Sequence, residues 1–312
     1  MTRFSRFAAT FSLLAALAGT AAIAQEPPLP PGAPPNRAVA LGPYLVTVQA
    51  APGLPTHTLY RPADLSAFAG GKLPIVAWGN GGCSKAGRGF EKFLTTIASN
   101  GYLVIVAGAI DAPRPHWDKP VEGAPPPPIK PPETNAAQLI EGINWAVNQN
   151  HNAGSLLRGK LATSRIAVMG QSCGGLMALE ASADPRIRTS VIWDSGVLPP
   201  MAGLPMLSKV THEDLKKLHA PIAYFIGGPT DIAYQNAERD FALIDRVPIF
   251  KGNLNVGHPG TFFQPNGGWF AEVGTAWLDW QLKGDRKAAR MFAGPDCGLC
   301  TDPAWKIERK KL

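Results

Sequence analysis

A serine framed by glycines is the first residue of this chain with the setting of a nucleophile. Gly170-Gln171-Ser172-Cys173-Gly174-Gly175 follows the apolar run Ile166-Ala167-Val168-Met169 and precedes helical spacing at Leu176 and Leu179. That order reads as a buried strand, a tight turn and a helix, with Ser172 at the apex. Glycine suits positions 170 and 174 because a side chain there would strike the neighbouring strand or helix. The helix that opens at the turn aims free N–H groups at the space beside the hydroxyl. A strand-to-helix turn whose glycines serve packing alone is the plain alternative, and the motif by itself does not exclude it.

A serine attacks an acyl carbon only with a base to take its proton, a group to orient that base, and donors for the oxyanion. Six histidines are available. His57 and His116 precede the serine, His151 and His212 flank helices, and His219 precedes a strand at the end remote from the turn. His258 lies in Asn255-Val256-Gly257-His258-Pro259-Gly260, a loop after the last expected strand, and is the candidate base. It completes the chain order serine, acid, histidine. Two acids compete. Asp231 follows the strand Ile222–Ile226 through Gly227-Gly228-Pro229-Thr230, and Asp194 lies one strand earlier in Ile192-Trp193-Asp194-Ser195. Asp231 is favoured, although the same residue also suits a helix cap. The expected oxyanion donors are the backbone N–H of Cys173 and one from Asn80 or Gly81, in the Gly-rich loop after the strand Ile75–Trp78.

The elements needed to hold these residues are legible around them. Strand-like pieces occur at 44–48, 57–61, 75–78, 103–107, 166–169, 188–193, 221–226 and near Ile249. Helical spacing follows Phe90, Phe93, Leu94 and Ile97, covers about 135–150, restarts after Asp231, and carries Phe270, Val273, Trp277 and Trp280. Strands alternating with helices predict an α/β domain with a mainly parallel, twisted sheet covered on both faces. The site then belongs at the carboxyl ends of the strands. Fewer than thirty residues separate Trp193 from Pro221, which leaves no room for a large cap domain. Residues 109–133 hold nine prolines and read as a long loop.

The chain has 312 residues, of which 45% are hydrophobic and 17% charged, as suits one globular domain. Arg3 and Arg6 precede a small-residue apolar run that ends Ala22-Ile23-Ala24, so residues 1–24 read as a secretory signal peptide. An uncleaved anchor is the alternative, but stable membrane insertion is not expected after cleavage. A Pro-rich tether covers 25–38, the main domain 39–292, and a C-terminal tail 293–312, whose basic end reads as solvated. Loss of the two arginines takes the formal charge from +7 to +5, and no basic run interleaved with aromatics points to nucleic acid. Export to the periplasm or beyond the cell fits four cysteines. Cys297 and Cys300 are expected to pair as a structural disulfide rather than a redox or zinc site. Cys83 ends the oxyanion loop and Cys173 adjoins the nucleophile, so a second disulfide between them is expected, with two inert buried thiols as the alternative.

The set GNGGC, GQSCGG, a Trp after the next strand, TDIAYQNA and a late GH resembles secreted α/β-hydrolases of the cutinase, polyester-hydrolase and chlorophyllase branch, and the wider dienelactone-hydrolase-like group. The resemblance spans about residues 73–282 and implies the α/β-hydrolase fold and a serine esterase acting on small-molecule or polymeric esters without a metal or organic cofactor. It also implies Asp231 as the acid, Trp193 as a substrate-side residue and Asn80 as an oxyanion donor. Two features depart from that pattern: Asn80 stands where cutinases carry an aromatic, and the 109–133 loop has no counterpart. Dienelactone hydrolases proper carry a cysteine at the position of Ser172. An amidase or peptidase with the same triad, and a catalytically silent binding protein on the same fold, are the other readings the residues permit. The oligomeric state is not legible.

Overall fold

The computed structural model describes residues 29–114, 131–199 and 207–312. The expected leader, residues 25–28 of the tether, His116 and most of the Pro-rich loop lie outside the described residues. The described chain forms a nine-stranded mixed sheet with interleaved helices. The strands are β1 (Val46–Ala51), β2 (Leu54–Pro62), β3 (Leu73–Gly79), β4 (Leu103–Ala107), β5 (Leu161–Gln171), β6 (Ile187–Trp193), β7 (Ile222–Ile226), β8 (Ile249–Leu254) and β9 (Trp305–Lys310). Their spatial order is β1-β2-β4-β3-β5-β6-β7-β8-β9. From β4 to β8 every neighbouring pair is parallel, while β1, β2 and β9 join antiparallel at the edges.

The near-continuous apolar runs of the central strands follow from burial on both faces. β3, β4, β7 and β8 have no exposed residue. One face packs Val76, Trp78, Val104, Met169, Val191 and Phe225 against helices α1 (Glu91–Ser99) and α5 (Gly268–Lys283). The other packs Ile75, Ala77, Val168, Ile192 and Tyr224 against α2 (Ala136–His151), α3 (Cys173–Ala181) and α4 (Tyr234–Leu243). A short α6 (Arg286–Ala289) follows α5. Asn135 caps α2, its side chain accepting from the Ala137 N–H at 3.0 Å, which secures the helix start after the proline-rich stretch.

Two features of the topology stand out. β3 leads through α1 to β4 on one side, whereas β5 pairs with β3 on the other, so the winding reverses between β3 and β5. A crevice opens outside the carboxyl ends of strands at such a reversal. The second feature corrects the sequence reading at the far edge. The residues expected to end as a solvated basic tail instead form β9, paired with β8 from Ile249↔Lys310 to Leu254↔Trp305. Trp305 is the anchor: it is buried against Gly252 and meets Phe225, Trp269 and Phe270 in the aromatic core. One short apolar–polar alternation, Trp305 and Ile307 before a basic end, carried too little periodicity to reveal the strand.

Candidate active site

Ser172 follows the last residue of β5 and adopts φ 53°, ψ −121°, a backbone conformation that costs a non-glycine residue ~1–3 kcal/mol. Three contacts hold it there. The Ser172 N–H donates to the Trp193 carbonyl at 2.9 Å, and the Ser172 carbonyl accepts from the Gly175 N–H at 2.8 Å and from Ser195 Oγ at 2.7 Å. The flanking glycines are required by space. A Cβ on Gly170 would lie 2.1 Å from the Gly174 carbonyl oxygen, and one on Gly174 would lie 2.0 Å from that of Gly79. The second contact shows how closely the turn sits against the end of β3.

His258 is the histidine the fold brings to this turn. Its Nε2 is 3.0 Å from Ser172 Oγ and its Nδ1 is 2.6 Å from Asp231 Oδ1. The other described histidines are engaged elsewhere or lie apart: His57 Nε2 meets the Gln138 carbonyl, His219 Nε2 meets that of Ile187, and His212 Nε2 lies 3.6 Å from Asp240. His151 ends α2. Asp231 is not the cap of α4, which begins after Ala233. Its Oδ1 also accepts from the Ala233 N–H at 2.8 Å, and its Oδ2 from the Gly227 N–H at 3.1 Å. Burial by itself raises this carboxyl. The hydrogen bond and charge of His258, with the Ala233 N–H and a contact from Asp194, outweigh it and hold Asp231 below the ordinary carboxylate range. Of the two competing acids, Asp231 is therefore the one bonded to the imidazole. Asp194 sits behind it, fully buried.

The loop after β3 packs directly on the turn. Cys83 and Cys173 are joined in a disulfide with Cα atoms 5.1 Å apart, and Cys297–Cys300 forms the second. Cys173 opens α3, so its N–H has no acceptor within the helix. Asn80 and Gly81, at the start of the turn Gly81–Cys83, lie against the first turn of α3, the Asn80 nitrogen 2.7 Å from where a Cβ on Gly174 would stand. The Asn80 side chain contributes something backbone reasoning missed. Its Oδ1 accepts from Trp78 Nε1 at 3.0 Å, while its Nδ2 donates to the carbonyls of Ser84 and Ala86, both at 3.0 Å. Asparagine, carrying both donor and acceptor, can close the loop on itself in a way an aromatic cannot.

Gln171 was also missed. Its Nε2 donates to the His258 carbonyl at 3.0 Å, tying the histidine loop to the serine turn. The only hint in the sequence is a polar residue at the end of an apolar strand. Trp193 requires a correction. It is fully buried, stacked on Phe225 with ring centroids 4.7 Å apart and edged by Phe93 and Phe262, so it offers no face to a substrate. Alternation along β6 places residues 191 and 193 on the α1/α5 side of the sheet, inside the aromatic core.

No protein-family model and no curated protein matches the chain. Among the described residues no helix is long and apolar enough to cross a membrane.

Proposed function

We propose that this chain is an exported serine hydrolase of the α/β-hydrolase fold that cleaves carboxylic esters through an acyl-enzyme. The observation that carries the proposal is the unbroken relay Ser172 Oγ–His258 Nε2 at 3.0 Å and His258 Nδ1–Asp231 Oδ1 at 2.6 Å, beside a helix N-terminus. In this reading Ser172 attacks the acyl carbon while His258 Nε2 takes its proton, then passes it to the departing alkoxide. Water repeats the sequence on the acyl-enzyme. Asp231 fixes the Nδ1–H tautomer and compensates the imidazolium. The Cys173 N–H and the Asn80–Gly81 backbone would receive the oxyanion, each donor contributing about a hundred-fold or more. The reversal of winding at β3/β5 supports a substrate crevice there. The two disulfides suit an oxidising compartment, periplasmic or extracellular.

The test is labelling by a fluorophosphonate with peptide mapping, together with p-nitrophenyl acetate turnover. The label should land on Ser172, and Ser172→Ala should lose turnover by about ten thousand-fold. An unlabelled wild-type protein, or substantial turnover in Ser172→Ala, would leave a silent scaffold as the better reading.

A further inference from the structure

Asp194 is a buried carboxyl with no N–H or O–H donor at standard hydrogen-bond geometry on either oxygen. It follows β6, its own N–H donates to the Phe225 carbonyl at 2.8 Å, and its backbone takes φ +43°. A left-handed aspartate is held at a cost, so the fold keeps this side chain turned inward for a reason. The carboxyl lies beneath the histidine loop, with Oδ2 2.9 Å from where a Cβ on Gly260 would stand. Asp231 lies at the same end of β7: the Asp194 N–H bonds the Phe225 carbonyl, Asp231 Oδ2 accepts from the Gly227 N–H two residues on, and the two carboxyls are near enough to act on one another. Among the described residues no lysine or arginine is paired with Asp194, and the ionisable groups in its direction are Asp231 and, beyond that, His258.

Two carboxyl groups touching in a dry site do not both ionise, and a hydrogen bond between them needs a proton on one. The donors decide which. Asp231 accepts from His258, Ala233 and Gly227, as an anion would, whereas Asp194 has only a grazing approach by the same Gly227 N–H. We propose that Asp194 is a neutral carboxylic acid whose hydroxyl donates to the Asp231 carboxylate, a positioning residue that fixes the orientation and basicity of the triad acid from behind. Burial first, and then the neighbouring Asp231 charge, push Asp194 well above the ordinary carboxylate range, in keeping with that geometry.

The experiment compares wild type, Asp194→Asn and Asp194→Ala in the full chain. Its kinetic arm, the pH profile of kcat/KM on p-nitrophenyl acetate, rests on the serine-hydrolase reading. Its spectroscopic arm, the protonated-carboxyl band in the wild-type minus Asp194→Asn infrared difference spectrum at neutral pH, does not, and the subtraction removes the signal of Asp240, which is raised to about 7. The band should be present in wild type and lost in Asp194→Asn. An asparagine N–H can still donate to Asp231, so Asp194→Asn should retain more activity than Asp194→Ala and keep the acid limb at the wild-type position. Asp194→Ala should lose about ten- to hundred-fold, the worth of a hydrogen bond to a charged group. Its acid limb should move to higher pH, because a less satisfied Asp231 holds the imidazolium proton more tightly. A missing infrared band overturns the proposal. So does an Asp194→Asn limb displaced to lower pH by about half a unit or more, since that marks removal of a negative charge. Equal losses in both variants also overturn it. Should Asp194→Ala fail to fold, the band and the Asp194→Asn limb still decide. A wild type with the band but no esterase turnover refutes the functional reading and leaves the carboxyl pair standing.

Discussion

Replacing Cys83 and Cys173 together by alanine tests how the proposed site is held. The bond closes a chain segment of 90 residues, for which the chain-entropy relation gives about 4.5 kcal/mol. The Cys297–Cys300 bond spans only 3 positions, for which the same relation gives about 1.5 kcal/mol. Against the roughly 5–15 kcal/mol that stabilises a typical domain, the first loss is large and the second modest. Activity should separate the pairs further. The Cys83–Cys173 bond joins the loop and the helix that would supply the two proposed oxyanion donors, and misplacing one such donor lowers kcat by about a hundred-fold or more. The assay is urea unfolding and p-nitrophenyl acetate turnover on both double variants. Equal shifts in the unfolding midpoint would refute the loop-length argument. An unchanged kcat in the Cys83/Cys173 variant would refute the clamp.

Three further outcomes are expected. Asp231→Asn should lower kcat by about ten thousand-fold; a loss below about ten-fold would move the role of acid to Asp194. Asn80→Ala strands the buried Trp78 N–H and the loop carbonyls, so thermal unfolding should register ~2–3 kcal/mol of lost stability and kcat should fall with it; unchanged stability would show that the loop holds without this side chain. Asp240, fully buried, is raised to about 7 chiefly by burial, with the Val197 N–H and the Tyr224 hydroxyl opposing. The folded state therefore binds this proton more tightly than the unfolded chain. Its stabilising contribution is complete below the unfolded value and is lost as pH rises towards 7, by ~4 kcal/mol. Asp240→Asn should flatten the unfolding free energy measured from pH 5 to 8, and an equally steep profile in the variant would reject the assignment.

The sequence was most informative where residue type and spacing have few physical solutions. Glycines at 170 and 174, an apolar run before them and helical spacing after them admit little besides a strand, a sharp turn and a helix, and that is the observed path. The parallel sheet core was legible for a similar reason, since runs such as Leu103–Ala107 without a polar residue fit burial on both faces. The same placement left Cys83 and Cys173 as either a disulfide or two buried thiols, and the disulfide is what forms. What the sequence hid were contacts that depend on register between distant strands. Trp193 looks identical in one dimension whether it faces a cleft or a core; only the alternation along β6 puts it against Phe225. Gln171 and Asn80 act through side-chain bonds to carbonyls, and carbonyls carry no residue-specific signal. The strand β9 is recognisable only once β8 is there to pair with it.

That last strand also sets how the molecule would fail. Lys251, wholly buried, lies between Glu238 at 2.6 Å and Glu308 at 2.5 Å, so one of its two counter-charges belongs to β9. A protease cut between Cys300 and Trp305 would free that carboxylate to leave, uncovering the row of amides and carbonyls along β8 and baring the indole's socket beside Gly252. Such an edge is a template for another chain. Damage there, at the sheet edge four strands from β5, would therefore surface as clumping.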